Sequence, residues 1–348
     1  MNKRYISLLD EIKKNGGKID DGHFNDKVLI IDGLNTFIRV FSVMPTLNDD
    51  GVHIGGIVGF LKSIGYVIRL FSPTRTIIVF DGKGGSTRRR KLHPEYKAGR
   101  KTDKRLVRAY DFADKEEERK NMLRQLQRVV QYLEALPLNI LSIDNIEADD
   151  TIAYLSKQVL KEKVVISSTD KDFIQLVDDR IKVYSPTKKI IYDKEQVFKE
   201  YGVPSRNFLT YRVLEGDKSD NIPGIKGAGL KTIIKRFPQI QDHDNDITIE
   251  DIVGLCRGKE DEMKIFENVS MCEPQLELNR KLMQLQEVDI PSNAKRKILG
   301  AIDNPIQRLN KLEFEKMFLQ DKLFSSLPNL QGWLLQTFNQ LNRYAEMS

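Results

Sequence analysis

Five short acidic motifs carry the chemistry available to this sequence. VLIID ends at Asp32, TIIVFD ends at Asp81, and VVISSTD ends at Asp170, with Asp172 two residues on. IEADD supplies Glu147, Asp149 and Asp150, and EGDKSDN supplies Asp217 and Asp220 at a spacing of three. Any one of these is most simply a helix cap or a turn residue, Asp150 above all, which can serve as a plain first-turn helix acid. Nine carboxylates brought to one place behave differently. Unpaired they repel one another, and two or more would hold a proton at neutral pH. Divalent cations relieve that repulsion. An all-oxygen donor set without His or Cys selects Mg2+, with Mn2+ as a substitute, ions that keep several waters and bind phosphates. Two such ions about 3.5–4 Å apart are the standard arrangement for in-line phosphodiester cleavage.

Asp81 leads straight into GKGGSTRRRKLHPEYKAGR. Residues 83–108 hold eleven basic groups against two acidic ones, whereas the rest of the chain has 45 basic and 48 acidic groups within a net charge of +6. One basic stripe on a mildly acidic chain suits a polyanion held at one place. A solvated charged loop is the bland alternative. Arg88 and Lys97 lie close in sequence to Asp81, where they could clamp a scissile phosphate or its neighbour, and Arg100 extends the stripe. Tyr96 is either a platform for an unpaired base or a core anchor for the loop. A third feature, NIPGIKGAGLKTIIKRF at 221–237, places Gly224, Gly227 and Gly229 in a tight turn between Lys226 and Lys231. Backbone N–H groups in such a turn, and the helix start behind it, can approach a phosphate. It is not a dinucleotide fingerprint, because no strand precedes it.

These residues need a frame. The apolar runs at 28–31, 76–80, 138–143 and 164–168 read as buried parallel strands, with helical patterns at 54–71, 107–136 and 148–161 between them. That alternation predicts a parallel α/β sheet with helices on both faces. Ligands of such sheets bind beyond the carboxyl ends of the strands, where the acidic motifs stand. Residues 2–15 read as a short helix before the first strand. A second region begins near 195, with a helix at 205–215, a hairpin at 222–229 and a helix from 229 to 236. The chain is then predicted helical almost throughout, as an extension rather than a separate domain.

Composition removes several classes. Cys256 and Cys272 alone make neither a disulfide scaffold nor a four-cysteine zinc site. Four scattered histidines argue against a His-built metal centre. The opening residues lack a signal-peptide core, and no apolar run approaches the ~20 residues of a membrane helix. The expectation is a reduced, soluble, intracellular protein.

Taken in order, FDGK with Arg88 seven residues after the aspartate, HPEYKAGR, IEADD, STDKDF and GDKSDNIPGIKGAG resemble the successive signatures of the 5′-nuclease superfamily: bacterial polymerase-linked 5′-nuclease domains, phage 5′-3′ exonucleases and flap endonucleases. The likeness covers about residues 27–240. It implies an α/β fold: a PIN-like parallel sheet flanked by helices, with a helical arch over 83–120, plus a helical helix–hairpin–helix-type DNA-binding domain. The implied division is an N-terminal helical extension (1–26), a catalytic domain (27–194), a duplex-DNA-binding domain (195–290) and a helical C-terminal extension (291–348).

The resemblance also implies roles. Asp32, Asp81, Glu147 and Asp149 would hold one Mg2+, Asp172, Asp217 and Asp220 a second, with Asp150 and Asp170 between them. Arg88 and Lys97 would meet the scissile phosphate. Gly224 to Gly229 would grip duplex DNA, an element that in relatives often holds K+. The implied activity is that of a Mg2+-dependent, structure-specific 5′-nuclease acting as 5′-3′ exonuclease and flap endonuclease in replication and in primer or flap removal. Its partners would be 5′-flap or branched DNA and RNA–DNA primer duplexes. Two rivals are a catalytically silent DNA-junction binder and a PIN-type ribonuclease on single-stranded RNA. No polymerase domain follows, so a free-standing monomer is expected. The N-terminal helix and the tail beyond 290 resemble the T-even-phage ribonuclease H branch, which implies the cytoplasm of a bacterial or phage-infected cell. QGWLLQTF at 331–338 partly resembles a sliding-clamp-binding peptide through Gln331, Leu334 and Phe338, although Thr337 takes the place of one aromatic. Packing of Trp333, Leu334 and Leu335 within a helix is the other reading. A single-strand-binding protein is a further candidate recruiter.

Overall fold

The computed structural model describes residues 26–100, 106–107 and 110–346. The expected helix over 2–15 and part of the basic stripe (101–105 and 108) lie outside these residues. The chain begins with β1 (Lys27–Asp32), α1 (Gly33–Phe41), α2 (Gly55–Phe71), β2 (Arg75–Asp81), the short α3 (Thr87–Leu92) and the long α4 (Lys115–Glu134). Then come β3 (Asn139–Ile143), α5 (Ala148–Tyr154, continued by a π-turn over Leu155–Val159), β4 (Lys163–Ser167), β5 (Ile181–Ser185) and β6 (Ile190–Tyr192). Helices follow: α6 (Lys194–Tyr201), α7 (Phe208–Glu215), α8 (Leu230–Arg236), α9 (Ile249–Cys256), α10 (Lys264–Met271), α11 (Glu273–Met283), α12 (Ser292–Asp303), α13 (Lys311–Gln320) and α14 (Leu330–Ala345).

The described strands form one six-stranded sheet in the order β3-β2-β1-β4-β5-β6, parallel except for the β5–β6 edge. The two-residue period of a strand sends alternate side chains to opposite faces. Val28, Ile30, Ile77, Val79, Val164 and Ile166 enter one core, which continues into the helices after α6. Leu29, Ile31, Ile78 and Val165 enter the other, closed by α1, α2, α4 and the tail helices α13 and α14. Both faces are covered, so the strands read as unbroken apolar runs.

Four strands fall where the sequence predicts them; β5, β6 and α1 were not foreseen. The helix expected from 107 starts at Lys115, because Asp114 caps it by accepting from Glu117 N. Residues before that cap do other work: Tyr110 and Phe112 stack around buried His53. The clamp-peptide reading is corrected by burial. Leu334 is 2% exposed and Phe338 0%, both in the core, and Trp333 packs against Phe314 and Phe338. No described helix is long and apolar enough to cross a membrane.

Candidate active site

The strand order reverses direction between β1 and β4, and the crevice beyond their carboxyl ends is where the acidic motifs gather. Asp32 closes β1 and caps α1: its Oδ1 accepts from Asn35 N at 3.1 Å and its Oδ2 from Ser168 Oγ at 3.0 Å. Asp81 closes β2 and accepts from Ala148 N at 2.9 Å, which pins the start of α5 against it. Glu147 is the N-cap of α5, and Asp149 and Asp150 lie in its first turn, stabilised by the helix dipole. Asp170 caps the 3-10 turn after β4, accepting from Asp172 N at 2.8 Å. Asp217 and Ile222 pair across the turn after α7, with Asp220 between them.

Two buried cations that sequence reasoning missed organise this cluster. Arg89 of α3, 4% exposed, grips Asp150 with two hydrogen bonds of 2.8 and 2.9 Å, reaches Glu147, and donates to Leu282 O at 2.8 Å. Arg212 of α7 donates to Asp172 Oδ1 at 2.8 Å, Asp217 Oδ2 at 2.6 Å and Glu215 Oε2 at 2.7 Å. Asn35 was missed too; its side-chain oxygen accepts from Thr169 N and Oγ1 and so ties α1 to the segment after β4.

The predicted cations divide. Lys97 reaches into the cluster, donating to Glu147 Oε1 at 2.6 Å, while its backbone N–H bonds Asp220 O at 2.9 Å. Arg88 is half-buried, 3.5 Å from Asp150 and 3.6 Å from Asp289. Tyr96 is 3% exposed beside Ile222, Leu282 and Met283, with its hydroxyl donating to Glu147 at 3.3 Å. That is the anchor reading; neither face of its ring is open to a base. The Arg100 side chain lies outside the described part of the structure.

Electrostatics separate the carboxylates into two kinds. Burial and the neighbouring Asp81 push Asp32 up to about 6. Burial with Asp172, Asp32 and Asp220 pushes Asp170 up to about 7. Burial and Asp170 raise Asp149 well above the ordinary carboxylate range. Burial also raises Asp172, although Arg212 opposes it. Against these, Glu147 is held down to about 2: burial would raise it, but Arg89 and Lys97 prevail. At Asp217 burial is likewise outweighed, here by hydrogen bonds from Ser219 and by Arg212. Asp32, Asp149 and Asp170 thus form an acidic knot whose carboxyls are all held above their ordinary range. The donor chemistry fits a hard divalent cation. Among the described residues, no group of three or more such side chains already has metal-holding geometry. Glu147, Asp150, Asp172 and Asp217 are instead turned toward Arg89, Lys97 and Arg212.

The glycine turn opens on the same side. A cleft of about 1100 Å³ runs from Asn35 and Asp170 past Arg212 and Asp217 to Gly224, Gly227 and Gly229. Gly224 is needed for close packing, since a Cβ there would sit 1.9 Å from Glu215 O. Gly227 adopts φ +85° with open space around it, and the neighbouring Lys226 and Lys231 side chains are exposed.

Comparison with known proteins bears on the whole of this arrangement. Residues 27–202 match the family described as 5′-3′ exonuclease, N-terminal resolvase-like domain. A 5′-3′ exonuclease of Buchnera aphidicola is 30% identical over 279 residues, 78% of this chain and 91% of that protein. Another, from Aquifex aeolicus, is 30% identical over 305 residues, 85% of this chain and 95% of that protein. In fold, the chain is similar to the flap endonuclease of bacteriophage T5 solved with DNA and metal ions. The TM-score is 0.59 at 22% identity, covering 85% of this chain and 99% of that one.

Proposed function

The chain belongs to the family of 5′-3′ exonucleases, and from that premise we propose that it is a Mg2+-dependent 5′-nuclease acting near single-strand/double-strand junctions, on 5′ flaps and RNA–DNA primer duplexes. The observation that carries the proposal is the acidic knot at the carboxyl ends of the parallel strands, where buried carboxyls are pushed up to about 6 and 7. Such a knot takes up divalent cations in exchange for protons. The phage neighbour solved with DNA and metal ions supports this reading.

Asp32, Asp81, Glu147 and Asp149 would hold one ion and Asp172, Asp217 and Asp220 the other, with Asp170 between them. Asp150, gripped by Arg89, would brace α5. Bound there, divalent cations supply activation of water at neutral pH and neutralisation of phosphate charge. The chain's own groups do the rest. Lys97 exchanges Glu147 for the scissile phosphate and stabilises the charge that develops on it. Arg212 keeps Asp172 and Asp217 aligned, and Ser219 holds the other oxygen of Asp217. The turn of Gly224 to Gly229, with Lys226 and Lys231, grips the duplex through its backbone, and K+ is a fitting counter-ion there. Segment 195–290 would be the duplex-binding unit, with the arch at 83–120 admitting the single strand.

The test is cleavage of three labelled substrates: a 5′-flap DNA, a nicked duplex with an RNA primer, and single-stranded RNA, each with Mg2+ or chelator. Cuts near the junction of the first two, abolished by chelator and restored by Mg2+ or Mn2+, are expected. Undiminished cutting in chelator, or preferred cutting of single-stranded RNA, would overturn the proposal.

A further inference from the structure

A cleft of about 410 Å³ separates α3 from the end of α11, on the outer side of the Arg89 guanidinium. Arg88 and Lys91, one helical turn apart on α3, face Arg280 and Lys281 in the last turn of α11. Arg89 also lines the space, but its charge is committed to Glu147 and Asp150. The other four cations outnumber the one acid that lines the cleft, Asp289, although Arg88 also lies 3.5 Å from Asp150. Arg88 Nη1 is buried without a hydrogen-bond acceptor, 3.6 Å from the exposed Asp289. Arg280 has Glu277 at 3.1 Å, and Lys91 and Lys281 enter no ion pair with any described residue. Leu92, 49% exposed, gives the mouth one apolar surface.

Four cations from two elements, an orphaned buried donor and an exposed apolar side chain suit a phosphodiester backbone whose bases are unpaired. We propose that the α3–α11 cleft is a second nucleic-acid site, which holds phosphates of the single-stranded 5′ arm beyond the acid cluster. The proposal rests on the nuclease reading and gives its arm a path: the strand passes Lys97, rounds the Arg89–Asp150 pair and lies along α3.

Two variants test it from opposite walls: the double variant Arg280→Glu/Lys281→Glu, and Lys91→Glu. Each is checked for an unchanged melting temperature. Dissociation constants in chelator are then measured for a junction with a long 5′ single-stranded arm and for the same junction without an arm. Affinity for the armed junction should fall about tenfold, with a salt dependence shallower by up to about two phosphate contacts for the double variant. Affinity for the armless junction should stay within about twofold. Equal losses on both junctions, or none on the armed one, would overturn the cleft as an arm site. Failure of the unaltered protein to cut the armed junction with Mg2+ would instead overturn the nuclease reading, so the two failures are distinguishable.

Discussion

Lys97 holds a left-handed backbone at φ 58°, uncommon for a residue with a side chain. Its N–H is fixed by Asp220 O and its ammonium by Glu147, so one residue joins two acidic motifs to the basic segment that follows Asp81. Lys97→Ala should cut the single-turnover rate ~100- to 1,000-fold, the loss expected for one transition-state donor. Lys97→Gly, which suits the backbone angle, should lose as much; recovery there would make strain, not charge, the cause. Asp81→Asn should abolish turnover yet keep or tighten metal-free DNA binding, which a gel-shift titration in chelator reads directly. The raised carboxyls give a pH signature as well. Between about pH 4 and 7 the folded chain keeps protons on Asp32 and Asp170 that the unfolded chain has released, so these groups lower stability as pH rises. Glu147 acts in the opposite sense, but only below its ordinary range. In chelator the melting temperature should therefore fall from pH 5 to 7.5, less steeply in Asp170→Asn, and Mg2+ should restore more at pH 7.5 than at pH 5. An identical slope in Asp170→Asn would refute the assignment. Asp32, Asp81 and Asp170 were legible because each follows an apolar run; Arg89 was not. Within Arg88, Arg89 and Arg90, no feature of the triplet marks the middle residue as the one that turns inward. Arg212 was equally hidden: besides the nearby Glu215 and Asp217, its partner Asp172 is forty residues away.

Among the elements, the glycine turn was readable as a turn, but the separate duties of its glycines were not. Gly224 serves packing: Gly224→Ala would drive a methyl into the Glu215 carbonyl and should destabilise the fold by about 1–3 kcal/mol, seen in denaturant melts. Gly227 serves backbone conformation. Gly227→Ala should cost only about 1–2 kcal/mol from its left-handed angle, since nothing lies within 4 Å. Gly227→Val should weaken duplex binding and raise KM with kcat nearly unchanged; unchanged affinity for a long duplex arm would reduce the turn to a helix connection. The α4 boundary shows a similar limit. Helical periodicity extends back to 107, but Tyr110 and Phe112 pack on the ring of His53, whose Nε2 is bonded to Met44 O at 2.8 Å, and residues 110–114 are not helical. Sequence period alone does not reveal a contact with a residue more than fifty positions earlier. β6 escaped because IIY is only three residues long, and the edge hairpin it forms with β5 takes its stability from the neighbouring β4.

At the scale of the molecule, the tail is structural. Phe314, Phe318, Leu334, Phe338 and Leu341 share a core with Leu29, Ile31 and Ile78 of the sheet, and Trp333 lies where a Cβ on Gly65 would come within 2.7 Å of its indole. Arg69 bonds Thr337 at 2.7 Å across 268 residues, and buried Arg75 bonds Ile302 O at 2.6 Å across 227. Phe338→Ala should therefore cost about 3–5 kcal/mol in chemical denaturation. A loss below 1 kcal/mol would return the segment to the surface and revive the docking-peptide reading. This long-range closure has a consequence for biosynthesis. All six strands have been made once residue 192 is translated, yet one face of the sheet waits for Leu341, 149 residues later. At elongation rates of about 5–20 residues per second, that face has α1, α2 and α4 but lacks its α13 and α14 cover for roughly 7–30 s. The nascent chain is then a natural client for chaperones that shield apolar strands, and it acquires its finished sheet only after the tail has emerged.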